Sequence, residues 1–318
     1  MALSSPGGAA RVGAEAVRQS LEGKRVDASG AIFRVLLQIA LGLSMLVLVV
    51  LVVDVVTGGW GTLSTRLGDF LTGSMTSSAE TSGLSQAIRG TFFIGLFVVV
   101  LAIPVGIGAA VYLEEYATQG RFKRFVSINI RNLAGVPSVV YGILGFTIFV
   151  KALGDLTGPG PTNGRSVVSA GLTLAVLVLP IVIITSSEAI SAVPSGIREA
   201  AYGIGATRWE VVRSHVLPYA APGILTGTVL ALARALGEAA PLILVGATTG
   251  YLTGGDSYAL DSLRERFTAL PTVITTWAGR PGEGYREATA AAIVILLVMV
   301  LVANSVAILL RNHYEKKR

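Results

Sequence analysis

The chain has 318 residues, of which 52% are hydrophobic and 14% charged, and its apolar residues come in long blocks. This pattern is typical of a membrane protein rather than a soluble domain. The net charge of +6 comes from cations spread over four segments without interleaved aromatic residues, which argues against a nucleic-acid-binding surface. With no cysteine and two distant histidines, the chain is expected to hold neither disulfides nor a metal centre.

Residues 1–31 are rich in Gly, Ala, Ser and charge and have no apolar periodicity. They predict a disordered cytoplasmic tail before a membrane domain over residues 32–318. A cleaved signal peptide is the competing interpretation of the basic tail and the first apolar run. That run is longer than a typical signal core, which favours a retained span.

Six segments are apolar enough to cross about 30 Å of hydrocarbon, which takes roughly 20 residues. They are predicted at residues 35–56, 90–113, 127–150, 166–190, 219–246 and 288–310. Lys and Arg cluster before the first span, between spans two and three, between spans four and five, and after the last. The positive-inside rule therefore predicts that both termini are cytoplasmic. The predicted fold is an all-α integral membrane protein with six transmembrane helices.

The third span contains the stretch GVPSVVYGILGF, Gly135–Phe146. Pro137 predicts a helix bend, because proline lacks an N–H group and its ring clashes with the preceding turn. Gly135 and Gly142 flank it and are expected to allow close helix packing. Tyr141 lies between them, and this local pattern is structural in character.

A polar but regular segment follows the fourth span and predicts a hairpin of two short helices. Pro194 and Ser195 are expected to open the first helix, with Glu199 near its positive end. Gly205 is placed for a left-handed turn after that helix. The second helix is expected to begin with a Thr207–Glu210 capping box, and Pro218 and Pro222 to mark the return to the membrane.

The first helix of this hairpin has a small-residue face, which predicts docking into a groove on another protein. The face consists of Ala200, Ala201, Ile204 and Ala206. A solvated connector between two spans is the alternative, and periodicity alone favours neither.

The fifth span carries an arginine and a glutamate, Arg234 and Glu238, which share a helix face at this spacing. Because an intramembrane ion costs at least a few kcal/mol, such a pair is expected to face a bundle interior or an aqueous path rather than lipid. Pro241 removes the hydrogen bond to the carbonyl of Gly237 and predicts a kink there. A guanidinium suits an oxyanion ligand, whereas an ion pair that only locks helices together is the alternative.

No phosphate-cradling nucleotide loop occurs; the nearest stretch, EGKRV, lacks the required glycine and hydroxyl residue. No nucleophile, base and orienting group occur at recognisable spacing, so an enzyme is not expected. A proton-coupled secondary anion carrier and a membrane scaffold are the rival classes. Asp54 and Glu188, the other acids near spans, lie close to span ends, where interfacial solvation explains them.

The hairpin resembles the EAA motif of ABC-importer permeases, the loop that these subunits insert into their ATPase partner. The matching positions are Glu199, Ala200 and Ala201, then Gly205, then Leu217 and Pro218. His215 replaces the usual hydrophobic residue two positions before Leu217, a departure that affects local packing.

The stretch ARALGEAAPLILVGAT resembles the span-five signature of the PstA family of phosphate-specific permeases, with Ala239 in place of the usual Thr. Pro241 and Leu242 favour the PstA type over the sister PstC type. Residues 135–146 resemble the span-three motif of both types, and residues 267–297 resemble the PstA-type external loop and last span. The likeness runs from about residue 60 to the end of the chain.

This resemblance implies a six-span type I ABC importer permease of the bacterial inner membrane. It implies that Arg234 and Glu238 line the phosphate pathway, and that residues 199–218 couple the chain to an ATPase. The implied partners are a PstB-like ATPase dimer, a PstC-like permease, a PstS-like phosphate-binding protein, phosphate and membrane lipid. No cofactor is implied in this chain, since ATP and Mg²⁺ belong to the ATPase. Transport of another oxyanion stays open, as does pairing with a second copy of the chain. The predicted external loop, Ala247–Glu287, would contact the binding protein or gate the entrance.

Overall fold

The computed structural model describes residues 28–158, 160–247 and 263–315, and these form helices and loops without a β-strand. The chain divides into two compact units, Met1–Asp54 and Val55–Arg318. Helix α1, Ala28–Thr65, begins in the first unit and ends in the second. Residues 28–31, predicted as part of the tail, are helical and form the first turn of α1. The rest of the predicted tail, residues 1–27, lies outside the described residues.

The second unit contains eleven further helices within the described ranges. They are α2 Leu67–Thr72, α3 Ser85–Tyr116, α4 Arg121–Ala134, α5 Ser138–Ala152, α6 Gly154–Thr157, α7 Val167–Ser191, α8 Ser195–Gly203, α9 Arg208–Gly237, α10 Ala240–Leu244, α11 Leu270–Ala278 and α12 Glu283–Glu315. Five of the twelve helices, α1, α3, α7, α9 and α12, are long and apolar enough to cross a membrane. The pair α4–α5 supplies a sixth crossing if it counts as one broken span.

The third predicted span is therefore not a straight helix over 127–150. Helix α4 ends at Ala134, and Pro137 becomes the N-cap of α5 with extended backbone angles of φ −56° and ψ 137°. The two helix axes differ in direction by 100°. The predicted bend at Pro137 is present, and it is much sharper than a kink within a continuous helix because two residues before the proline also leave the helix.

The return to the membrane after the hairpin also differs from prediction. The second hairpin helix and the fifth span form one continuous helix, α9, and neither Pro218 nor Pro222 interrupts it. A π-helical turn over Val212–Val216 directly precedes the first proline. The wider turn changes the hydrogen-bond pattern where proline cannot donate, so the chain stays helical.

Helix α7 lies at the centre of the second unit. It begins with a capping box in which the side chains of Ser166 and Ser169 bond each other's backbone N–H groups. Most of its side chains are buried against α3, α5 and α9. Close approach depends on glycine: a Cβ atom at Gly106 of α3 would lie 2.6 Å from Val182 Cγ1. The most buried helix thus holds the other spans in fixed positions.

A smaller apolar cluster closes the end of the unit that is formed by the start of α3 and by α11. Phe70 and Trp277 are buried there, with ring centroids 6.4 Å apart. The backbone N–H of Leu270 donates to Thr91 Oγ1 at 2.8 Å. This cluster contains part of the predicted loop 247–287, whose residues 248–262 lie outside the described residues.

Candidate functional site

The fifth span breaks at the predicted kink. Helix α9 ends at Gly237, Glu238 has extended angles of φ −85° and ψ 108°, and α10 begins at Ala240. Pro241 occupies the first turn of α10, where a missing N–H group costs nothing. The predicted kink is thus a complete break: glycine and proline four residues apart end one helix and start another.

Arg234 and Glu238 form an ion pair across this break, with 3.2 Å between Nε and Oε1. The side chains are 40% and 19% exposed, so the pair lies on an open face of the chain and not in its core. Within the described residues, neither side chain makes another hydrogen bond or ion pair. The two terminal nitrogens of the guanidinium and one carboxylate oxygen are thus available to a ligand. Such a pair contributes little stability by itself.

The span-three and span-five motifs meet at this break. A Cβ atom at Gly142 of α5 would lie 2.8 Å from Pro241 Cα and 2.7 Å from Leu244 Cδ1. Only glycine therefore allows α5 and α10 to approach this closely. At Gly135, by contrast, a Cβ atom would meet nothing nearer than its own helix, so the predicted packing role of Gly135 is wrong.

Tyr141 gains a structural role that the sequence did not reveal. Its side chain is buried, and its hydroxyl donates to the carbonyl oxygen of Leu133 at 2.9 Å. The carbonyl groups in the last turn of a helix lack partners within it. Tyr141 therefore fixes the end of α4 relative to α5, next to the arginine-bearing break.

The hairpin adopts most of its predicted local geometry. Pro194 is the N-cap of α8, and Gly205 has φ +86°, in the left-handed region that favours glycine. The backbone N–H of Thr207 donates to Glu210 Oε2 at 2.7 Å, completing the predicted capping box. Glu199 is the exception: it lies beyond the first turn of α8, where the helix dipole has little effect on an anion.

The exposed face of the hairpin differs from the predicted small-residue face. Ala201 is 3% exposed and packs within the chain against Val211 and Val216, so it cannot dock elsewhere. Ala200 and Ile204 of the predicted face are exposed and Ala206 is half-buried. The face also presents large aromatic side chains, and Tyr202, Ile204 and Trp209 are 45%, 83% and 55% exposed. The pattern of apolar residues over the whole hairpin, with the aromatic residues included, would have predicted this face.

The last residues of the motif differ in exposure. Leu217 packs partly against the apolar cluster at the base of the hairpin, whereas Pro218 and His215 are exposed. The histidine does not disturb the packing, because it lies on the outer side of α9.

A second ion pair, which sequence analysis missed, anchors the hairpin. Arg198 of α8 donates from Nε and Nη2 to Glu115 Oε1 at 3.1 and 2.8 Å. It also donates to the carbonyl oxygens of Val193 and Ile190, at 2.7 and 2.9 Å. Glu115 is only 6% exposed. The pair joins residues 83 positions apart, so no spacing in the sequence could have indicated it.

An open cavity of about 720 Å³ lies between α7 and α9, on the hairpin side of Arg234. Its polar lining comes from Thr185 and Glu188 of α7, Thr226 of α9 and Asn304 of α12. Leu230 and Ala233 of α9 line its other end, directly before Arg234. Glu188 is exposed as predicted for a span end, but it also faces this cavity.

Comparison with known proteins identifies the family. The family model described as "Binding-protein-dependent transport system inner membrane component" matches residues 102–318. The chain belongs to this family. It is therefore a membrane-embedded, multi-pass permease subunit.

Curated relatives include phosphate permeases of both types. The chain is 32% identical to the phosphate transport system permease protein PstA 1 of Mycobacterium tuberculosis, covering 83% of this chain and 80% of that protein. It is 29% identical to the phosphate transport system permease protein PstC of Mesorhizobium japonicum, covering 92% and 93%.

Solved structures share the fold at low identity. A chain of a bacterial alginate ABC transporter matches with a TM-score of 0.62 at 17% identity, covering 91% of this chain and 96% of that chain. A chain of the MetNI methionine ABC transporter, in an inward-facing conformation, matches with a TM-score of 0.55 at 17% identity, covering 73% and 97%. The predicted type I ABC importer permease fold is confirmed.

Proposed function

We propose that the chain is a permease subunit of an ATP-driven importer of inorganic phosphate and forms the translocation path with a homologous permease. The Arg234–Glu238 pair at the α9–α10 break carries the proposal. A cation in a membrane helix is costly, and here it lies on an open face directly after Ala233, which lines an open cavity that also contains Thr185, Glu188 and Asn304. The relatives named as phosphate permeases support phosphate as the substrate.

Arg234 would bind phosphate transiently through its terminal guanidinium nitrogens. Its Nε is already held by Glu238, which orients the planar group and offsets its charge when no ligand is bound. Because the pair is single and partly exposed, phosphate can replace part of the interaction without leaving a buried charge unpaired. A weak site of this kind releases its ion, whereas a strong site would retain it.

The hairpin would dock into a partner ATPase that uses ATP and Mg²⁺. Its exposed apolar side chains, Tyr202, Ile204 and Trp209, form the contact face. Closure of the ATPases on ATP would move the hairpins, and the switch between inward-facing and outward-facing states would follow. In this scheme the termini are cytoplasmic, and a PstS-like binding protein delivers phosphate on the opposite side.

A sister permease would cover the open face that carries Arg234. The span-five motif with Pro241 and Leu242 favours a PstA-type role, with a PstC-like chain as partner. A secondary anion carrier is the alternative function, and a carrier would transport its substrate without an ATPase.

The deciding experiment measures radiolabelled phosphate uptake by cells with and without this chain. Uptake that requires the chain, stops on ATP depletion and survives a proton ionophore supports the importer. Uptake that persists without ATP but stops with the ionophore supports a carrier. Copurification of an ATPase with the wild-type chain, and its loss in a Trp209→Glu variant, would test the docking face separately.

A further inference from the structure

Helix α4, Arg121–Ala134, has a composition unlike that of the other helices. It contains three arginines and one lysine, no acidic residue, and two phenylalanines near its start. No side chain in it is fully buried. Phe122 and Phe125 are 75% and 65% exposed, which is high for aromatic side chains.

The exposed surface of α4 has an apolar edge and a basic edge. Phe122 and Phe125 lie three residues apart and share one side of the helix. Arg124 and Arg131 lie seven residues apart, two full turns, and share the adjacent side. The partly buried side, with Val126 and Ile130, lies next to Phe122 and away from Arg124 and Arg131, and α4 packs against α7.

Three of the four cations have no counterion among the residues that the structure describes. Lys123 pairs with Glu114 at 3.1 Å, which attaches the start of α4 to the end of α3. Arg121, Arg124 and Arg131 have no ion pair or hydrogen-bond partner for their side chains within the described residues, apart from solvent. Their charge is therefore available to an external anion.

The bend after α4 sets its orientation relative to the bilayer. If α5 alone is taken as the membrane-crossing part of the broken pair, a helix turned by 100° from it runs nearly parallel to the membrane surface. Helix α5 has eight residues of α-helix and seven of π-helix, which span roughly 22 Å. A hydrocarbon core of about 30 Å leaves roughly 8 Å, which is within the depth of about 5–10 Å that interfacial helices reach.

We propose that α4 is an interfacial helix that binds the headgroups of anionic phospholipids through Arg121, Arg124 and Arg131. Phe122 and Phe125 enter the boundary between headgroups and acyl chains, as aromatic side chains do at membrane surfaces. Basic residues near the membrane attract anionic lipid, and apolar residues beside them add burial. The inference depends on membrane embedding and not on phosphate as the substrate.

A lipid-binding measurement tests the charge. The full chain is reconstituted in phosphatidylcholine nanodiscs with 30% phosphatidylglycerol, and copurifying lipid is counted by native mass spectrometry. Three chains are compared: wild type, the R121Q/R124Q/R131Q variant and the charge-preserving R121K/R124K/R131K variant. We expect the preference for phosphatidylglycerol to fall by about fivefold per arginine lost in the Gln variant and to persist in the Lys variant. An unchanged preference in the Gln variant would overturn the proposal, as would displacement of the lipid by millimolar inorganic phosphate.

A depth measurement tests the placement and does not depend on charge. Because the chain has no cysteine, a single nitroxide can be attached at Phe125→Cys, with Trp209→Cys on the hairpin as the control. We expect the label at 125 to be accessible to oxygen and shielded from a water-soluble nickel reagent, and the label at 209 to show the reverse. Equal access of the nickel reagent to both labels would overturn the proposal. Shielding of position 125 by an added ATPase in lipid-free detergent would assign the face to protein and also overturn it.

Discussion

Two arginine–glutamate pairs in this chain differ in almost every physical respect. Arg234–Glu238 is local in sequence, has one hydrogen bond at 3.2 Å and lies on an open face. Arg198–Glu115 joins distant helices, excludes water from its carboxylate and includes two carbonyl acceptors. The first can exchange part of its interaction for a ligand, whereas the second cannot lose a partner without leaving a buried charge. The geometry of the second pair is structural, and the proposed transport role belongs to the first pair alone.

The largest expected effect is on transport through Arg234. An Arg234→Gln change removes the charge that is proposed to bind phosphate. Because hydrogen bonds to charged groups contribute about 1.5–3 kcal/mol, uptake should fall roughly 10- to 100-fold. The free energy of unfolding should change by less than about 1 kcal/mol, because the pair is exposed. Uptake of radiolabelled phosphate at equal membrane levels measures the first effect, and thermal unfolding in detergent measures the second. An uptake rate equal to wild type would remove Arg234 from the pathway.

At Glu115, by contrast, we expect the main effect on the free energy of unfolding. A Glu115→Gln change leaves Arg198 with only its carbonyl acceptors and a weakened amide contact, so we expect a stability loss of about 1.5–3 kcal/mol. Thermal unfolding of the purified chain measures this loss. The matched control is Glu199→Gln, at an exposed position of the hairpin that Arg198 anchors. Equal melting temperatures for the two variants would show that the buried pair does not anchor the hairpin.

Gly205→Val should strain the turn between α8 and α9. A β-branched residue at φ +86° costs about 1–2 kcal/mol, which favours a different hairpin shape. We expect ATP hydrolysis by the assembled importer to continue while phosphate transport per ATP falls. Gly205→Asn is the control, because asparagine tolerates this conformation better. Normal coupling in the Val variant would contradict a fixed hairpin geometry.

The last expected effect concerns the contact of α5 with α10 and is on stability rather than on transport. Gly142→Ala introduces a methyl group within 2.8 Å of Pro241 Cα, where backbone must move, so we expect a loss of about 1–3 kcal/mol and a displaced charged break. Gly108→Ala in α3 is the control, since its Cβ would meet nothing within 4 Å. Alanine there should be neutral or stabilising. Similar unfolding temperatures for both variants would mean that the α5–α10 contact adjusts freely.

Local signals in the sequence were sufficient for the capping box at Thr207, the turn at Gly205 and the bend at Pro137. Each depends on residues within a few positions of one another. The sequence did not reveal that Ala201 faces inward or that Glu115 meets Arg198, since both depend on which helices pack together. The breaks at Gly135–Pro137 and Gly237–Ala239 were underestimated, because a proline signal gives the position of a bend but not its angle. Transport roles for Arg234 and Glu238, and coupling through the hairpin, stay predictions.

The hydrogen bonds of Arg198 connect the hairpin to the ends of neighbouring helices. Its guanidinium bonds to the end of α3 through Glu115, to the end of α7 through Ile190 and to the following loop through Val193, while the peptide chain itself continues into α9. A pull on α8 is therefore shared by three membrane helices at once. When α8 moves, these three helices would therefore be expected to tilt together and not to slide past one another.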